Sequence, residues 1–343
     1  MDTIEKRKQN WIDFMDLSSS TNRLLVVECM ETMPPNPLLW WENADKRVDW
    51  AYERYMRQME QTEWLDDNMI PFLSMMTGTE IFAEALGCRV YQPLDNKPCA
   101  IPLVMDETEV SKIRFPKLED TRLSLLFEMA DRLKDRAGKN ALLSFPDLQT
   151  PMDILALVWD KSNLFLNMYE NPELVKELSA KIKLFLFEFL DRWIERYGPE
   201  MIAHYPDYYM PSGVTISEDE IGAVSPEMYR EFFEPELSEL ARRYGAVGVH
   251  CCADSMHQWE NLQRIPNLKL LNLIRPDDQL LQSCDFFRTS TAQFITSDLD
   301  ISGLHCPEEI HLAKYLYVGT KQQAIEAVER HKASLYSSGS HNA

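Results

Sequence analysis

Two hydrophobic periods take turns along this chain. Short apolar runs mark strands, and between them apolar residues recur at helical spacing. Leu24-Leu25-Val26-Val27, running on to Glu28-Cys29-Met30, predicts a first strand. Asp67–Leu73 predicts a second, and Ala141–Phe145 a third that ends at Pro146-Asp147-Leu148-Gln149. Ala203–Tyr209, Ala246–Cys252, Leu270–Leu273, Thr289–Ile295 and Tyr315–Val318 continue the series. Helices are expected around Ile4, Trp11, Ile12 and Phe14, from about Ala44 to Glu60, and over Leu118–Ala137. Another opens at Asn171-Pro172-Glu173, aligns Val175, Leu178, Ile182, Phe185, Phe189 and Trp193, and stops at Gly198. Gly87 to Val104 predicts a hairpin turning at Asp95-Asn96 or an extended excursion, and Trp40-Trp41 should cover the core or a pocket mouth. Thr320 and Gln323 have capping-box spacing at the start of a last helix.

Such alternation over 343 residues predicts one α/β domain spanning 1–343, a (β/α)8 TIM barrel. Residues 1–65 would form an N-terminal helical extension plus the first strand. In a barrel of this kind the working side chains stand at the C-terminal ends of strands.

The stretch from Tyr205 to Trp259 is the densest in chemistry. Ser225 as N-cap and Pro226 at the first helical position open a helix that Pro235 should kink and Gly245 should end. The strand that follows ends in His250-Cys251-Cys252. Side chains alternate along a strand, so 250 and 252 share one face and 251 packs on the other. An imidazole and a thiol side by side are zinc donors, and a catalytic zinc takes three ligands from protein. Two such residues alone fit a packed histidine beside small buried cysteines as well. Asp207, Glu218 and Asp219 form an acid-rich rim around them, able to orient the histidine, add a ligand or handle a proton.

Composition narrows the classes. A net charge of −20 argues against binding nucleic acid or an anionic membrane through a basic face. No apolar run reaches the ~18 residues of a membrane span, and the opening Met1-Asp2-Thr3-Ile4-Glu5-Lys6 has no signal-peptide pattern. Seven cysteines without framework spacing fit a reducing cytoplasm.

Glu218-Asp219 through Gly222, Ser225 to Phe233, and His250 to Cys252 together resemble the uroporphyrinogen decarboxylase superfamily. There an acidic loop precedes Ser-Pro-Glu, an aromatic-rich helix and, in zinc-dependent members, His-x-Cys-Gly; Ala253 replaces that glycine here. Those members are corrinoid methyltransferases acting on methanol, methylamines, chloromethane or aryl methyl ethers. The resemblance implies a zinc-dependent methyltransferase working between a small-molecule donor or acceptor and a corrinoid (cobalamin) protein, and it leaves room for a homodimer. It implies Glu218, Asp219 and Asp207 as catalytic acids, and His250, Cys252 and a later cysteine as zinc ligands. Of the two later cysteines, Cys284 falls in a helix and Cys306 in a loop, so Cys306 is the one expected. Porphyrinogen decarboxylases carry Arg-Gln-Ala-Gly-Arg after the first strand, where this chain has Glu28-Cys29-Met30-Glu31-Thr32. Acids cannot pair with propionates, so that reaction is disfavoured. A metal-free decarboxylase or lyase, or a non-catalytic corrinoid- or ligand-binding barrel, stand as alternatives.

Overall fold

Eight parallel strands succeed one another around a barrel in the computed structural model, which describes residues 3–39, 41–93 and 96–338. Trp40 and Asp95, named above, lie outside the described residues. The strands are β1 (Arg23–Cys29), β2 (Phe72–Leu73), β3 (Leu142–Leu143), β4 (Val214–Ser217), β5 (Val247–Cys251), β6 (Leu268–Leu273), β7 (Ala292–Ile295) and β8 (Leu312–Val318). Six form one continuous sheet in the order β1-β8-β7-β6-β5-β4. β4 meets the end of β3 through the parallel bridge of Gln149 with Ser217, and β3 pairs with β2.

Between β1 and β2 the structure has side chains where a ladder would stand. Asp67 and Asn68 accept the amides of Val27 and Leu25 at 2.9 and 3.1 Å. Gln61 donates to the Val27 carbonyl at 2.7 Å, and Gln58 accepts the Phe72 amide at 3.1 Å. Both glutamines belong to helix α2 (Ala44–Trp64), whose buried face also carries Arg47, Val48, Ala51 and Arg54. Buried backbone groups need partners, so this polar stripe takes over where strand pairing stops.

The N-terminal segment is a plug rather than an appendage. Helix α1 (Thr3–Phe14) sends Trp11 and Phe14 into a core shared with Leu24, Val26, Ile70, Phe294 and Ala313. Trp11 donates its indole N–H to the Asn68 carbonyl at 3.0 Å. Buried Arg7 of the same helix reaches Asp67 at 3.1 Å. The final helix, Lys321–Ser338, covers the outer side of β1, with Ala324, Ala327 and Val328 against Leu25, Val27 and Cys29. Its capping box forms: Gln323 N donates to Thr320 Oγ1 at 3.2 Å and Thr320 N to Gln323 Oε1 at 3.1 Å.

One predicted strand is corrected. Ala203–Tyr209 is not a strand: the extended residues just before it, Met201–Ile202, lie along the end of β3 through the parallel bridge of Ile202 with Ser144, Tyr209–Met210 pairs back on them antiparallel, and Val214–Ser217 carries on the barrel sheet. The residues between turn through a cis Tyr205–Pro206 bond and dip into the barrel. Tyr208 packs there against Trp11 and Phe294, and its hydroxyl occupies the space a Cβ on Gly248 would need, 1.9 Å away. Glycine in β5 therefore makes room for this intruding loop. The helix after Ser225 does begin as expected, with Ser225 Oγ accepting Met228 N at 3.3 Å. Its irregularity is a π-turn over Tyr229–Phe233, just ahead of Pro235, and Gly245 closes it at φ 91°. Among the described residues no helix is long and apolar enough to cross a membrane.

Candidate active site

β5 delivers its last polar residues to the C-terminal end of the barrel. His250 and Cys252 share a face, and Nε2 of the histidine lies 3.0 Å from the Cys252 sulfur. Cys251 points away into the outer core, its sulfur 3.6 Å from Ser255 Oγ. The tautomer of His250 follows from its neighbour on β6. Asn272 spends its amide N–H on the Phe294 carbonyl, which leaves Oδ1 facing His250 Nδ1 at 2.6 Å. Nδ1 therefore carries the hydrogen, and the Nε2 lone pair is directed at the sulfur. Burial lowers the histidine's pKa while Asn272 opposes the shift. Burial pushes the Cys252 thiol up to about 11, with Asp219 and Asp147 adding to it. Without a cation the pair is a neutral imidazole accepting from a thiol.

The three predicted acids separate. Asp219 reaches the site, and its Oδ1 accepts the Cys252 amide at 2.6 Å. Glu218 does not: Ser217 and Asp219 face the interior, so the residue between them points outward. It is fully buried there beside Tyr229, and burial together with Asp153 and Glu236 holds its carboxyl well above the usual range. Asp207 stands at the mouth, tied to Arg54 Nη2 at 2.9 Å. The same guanidinium holds Glu28 Oε1 at 3.0 Å, and Tyr315 donates to Glu28 Oε2 at 2.5 Å. One cation faces two carboxylates, Glu28 buried and Asp207 half-buried, and desolvation lifts Asp207 to about 6. The acids after β1 are thus not alone. Arg54 passes through the gap between β1 and β2, but both its charge partners are already in place.

Cys306 is not brought to the pair. It follows β7 and precedes β8, in a loop pinned to the start of β1, where Arg23 donates to the carbonyls of Pro307 and Ile310. That is the N-terminal end of the barrel, opposite His250 and Cys252; its sulfur lies 3.4 Å from His305 Nε2. Strand direction is the reason, since a loop joining two parallel staves must return to the bottom before the next begins. Among the described residues no three His, Cys, Asp or Glu side chains converge as a ready metal cluster.

The ring around the pair holds His204 and Tyr205, which the sequence had not singled out, and Asp147, which follows the strand predicted over Ala141–Phe145. His204, on the inserted hairpin, lies 6.3 Å from the His250 ring and places Nε2 2.9 Å from Ser217 Oγ. Burial, with His250 nearby, lowers it to about 3, so it stays neutral. Tyr205 packs edge-on to His250 at 5.0 Å. Asp147, after β3, has its Oδ1 3.6 Å from His204 Nε2, and burial lifts its carboxyl to about 7. A cavity of about 720 Å³ elsewhere, among Lys8, Lys134, Lys139 and Glu200, contains none of these groups.

A (β/α)8 barrel with an imidazole, a thiol and carboxylates at the C-terminal ends of adjacent staves is an enzyme-type site. The model of the uroporphyrinogen decarboxylase (URO-D) family matches residues 66–274, and this chain belongs to that family. A solved methyltransferase from Methanosarcina mazei superposes with a TM-score of 0.66, covering 96% of this chain and 99% of its own, at 11% identity. At that identity the likeness is one of fold. No curated protein matches the sequence.

Proposed function

We propose that this chain is a methyltransferase that passes a methyl group between a small molecule and a corrinoid-carrying protein, with zinc held by His250 and Cys252. The observation that carries the reading is the fixed tautomer of His250, whose free Nε2 faces a sulfur at 3.0 Å. A histidine whose other nitrogen is tied to a side-chain carbonyl is the usual arrangement of a metal ligand. The nitrogen and sulfur donors fit zinc, and buried carboxylates nearby supply compensating charge. The name methyltransferase carried by the Methanosarcina mazei structure supports the class.

When bound, zinc would act as a Lewis acid on the heteroatom that carries or receives the methyl group. The protein's own share is positioning. Asn272 holds His250 in one tautomer, Asp219 anchors the Cys252 backbone, and Tyr205 walls the pair from the side. Arg54 is engaged by Glu28 and Asp207, so it offers no spare charge for the carboxylates of a porphyrinogen. The test is methyl transfer from candidate donors to free cob(I)alamin, followed by absorbance, with wild type and His250→Ala. Transfer that survives both chelation and His250→Ala would overturn the proposal.

A further inference from the structure

We infer that Asp153 is a positioning residue for the site: it fixes the turn that carries Asp219, and through Asp219 it sets where the Cys252 thiol stands. The consequence for a metal rests on the reading above; the positioning itself does not.

The geometry starts one helix away from the pair. Thr150 caps the helix Pro151–Val158, its Oγ1 accepting the Asp153 amide at 3.4 Å. The start of this helix is tied to the sheet, because Thr150 N donates to the Ser217 carbonyl at 3.1 Å and Ser217 N to the Leu148 carbonyl at 2.8 Å. An acid three residues after an N-cap commonly reaches back to the N-cap amide. Here Ser217 holds that amide, and Asp153, which is 1% exposed, turns to another segment. Its Oδ2 accepts the Asp219 amide at 2.6 Å and its Oδ1 the Glu220 amide at 3.1 Å. One buried carboxyl group thus satisfies two successive amides of the turn that follows β4. Burial raises this carboxyl well above its usual range and the two amides oppose the shift. Ionised or protonated, both of its oxygens can accept.

The second half of the relay reaches the thiol. Cys252 stands one residue beyond β5, past the last residue that pairs with β6. Its amide donates instead to Asp219 Oδ1 at 2.6 Å. The turn also lies against the residues that follow Cys252. A Cβ on Gly222 would come 2.6 Å from the Ala253 Cβ and 3.2 Å from the Asp254 carbonyl oxygen. Gln258 ties down the far end of the turn, its Nε2 donating to the carbonyls of Ile221 and Val224 at 3.2 and 2.8 Å. Asp153 ties down the near end, where Asp219 grips the residue that bears the sulfur.

The experiment uses the full chain, stripped of metal so that the thiol is free, and compares wild type with Asp153→Asn. The asparagine nitrogen would face a backbone N–H where an oxygen now accepts. Alkylation by iodoacetamide is followed cysteine by cysteine with mass spectrometry. Cys252 and Cys99 are exposed, whereas Cys251 and Cys284 are buried and report global unfolding. The expected result is a rise of about ten-fold or more in the rate at Cys252, the scale of one lost hydrogen bond to a carboxyl group. Cys99 should be unchanged, and Cys251 and Cys284 should stay protected. An unchanged rate at Cys252 relative to Cys99 would overturn the assignment. If Asp153→Asn unfolds, amide hydrogen exchange of wild type decides: the Asp219 and Glu220 amides should be protected, and exchange at the rate of an unfolded chain would overturn the assignment. Co(II) loading tests the consequence for the metal. Affinity in Asp153→Asn should fall about 10–100-fold, with a weaker sulfur-to-cobalt charge-transfer band, and unaltered affinity would overturn that link. A wild type that binds no metal would overturn the metal reading, while the thiol and amide rates would still decide the positioning.

Discussion

Replacing Arg54 with methionine should expose how the barrel mouth is held together. Methionine keeps much of the buried stem and removes the charge. Arg54 Nη2 lies 3.0 Å from Glu28 Oε1 and 2.9 Å from Asp207 Oδ2, and the three side chains are 7%, 9% and 17% exposed. Removing one partner of a buried pair leaves uncompensated charge and costs about 3–5 kcal/mol. Here two carboxylates would be left facing one another, with only the Tyr315 hydroxyl still donating to Glu28. Protonation limits the penalty. Asp207 already sits at about 6 beside the guanidinium, and without it the carboxyl rises further. A carboxyl raised above its unfolded value makes the folded state take up protons, so stability recovers as pH falls through the folded pKa. The deficit of Arg54→Met relative to wild type should be about 3–5 kcal/mol at pH 8. It should shrink at pH 5 to about 1–2 kcal/mol, the scale of lost stem packing and hydrogen bonds. Urea unfolding followed by tryptophan fluorescence at the two pH values measures both numbers. Adding Asp207→Asn to Arg54→Met should restore a large part of the loss at pH 8. A deficit below about 1 kcal/mol at pH 8, or one equal at both pH values, would refute the reasoning.

Two further outcomes follow from packing and burial. Trp11→Ala should cost about 3–5 kcal/mol, because the indole fills the lower barrel against Phe14, Tyr208 and Phe294; a loss near zero would mean α1 is not a plug. Burial lifts Glu80 to about 8 and leaves its Oε2 without a donor. Its folded pKa lies above the unfolded one, so its contribution to stability is lost as pH rises from the ordinary carboxylate range to about 8 and changes little beyond it. Glu80→Gln should flatten the fall in melting temperature between pH 5 and 8, and an unchanged slope would count against a protonated Glu80.

Much of this was legible in the sequence because the signals were local. Apolar runs marked the staves, Ser225 and Pro226 marked a helix start, and the two-residue period of a strand put His250 beside Cys252. The misses were long-range. Ala203–Tyr209 reads as a stave, but only Met201–Ile202 just before it lies along β3; the chain then turns back at Pro206, and Val214–Ser217 carries on the barrel sheet. Glu218 and Asp219 are adjacent in sequence, and strand alternation sends them to opposite sides. Applying to 218 and 219 the rule used for 250 and 252 would have separated them. Cys306 was placed by order along the chain, whereas the direction of the staves decides which end a loop occupies. Some signals were present but unused. Asn272 is a polar residue within Leu270–Leu273, and Arg47, Arg54, Gln58 and Gln61 make a polar stripe at helical spacing on a face that also carries Val48 and Ala51. Polar groups at core positions are costly unless paired, so each of them pointed to a partner.

The most direct test of the account is the metal content of wild-type protein purified without added metal, compared with a His250→Ala/Cys252→Ser variant. The account predicts about one zinc per chain in wild type, as a single site requires, and none in the variant. A metal-free wild type that rebinds no zinc, or a variant that retains the metal, would contradict it.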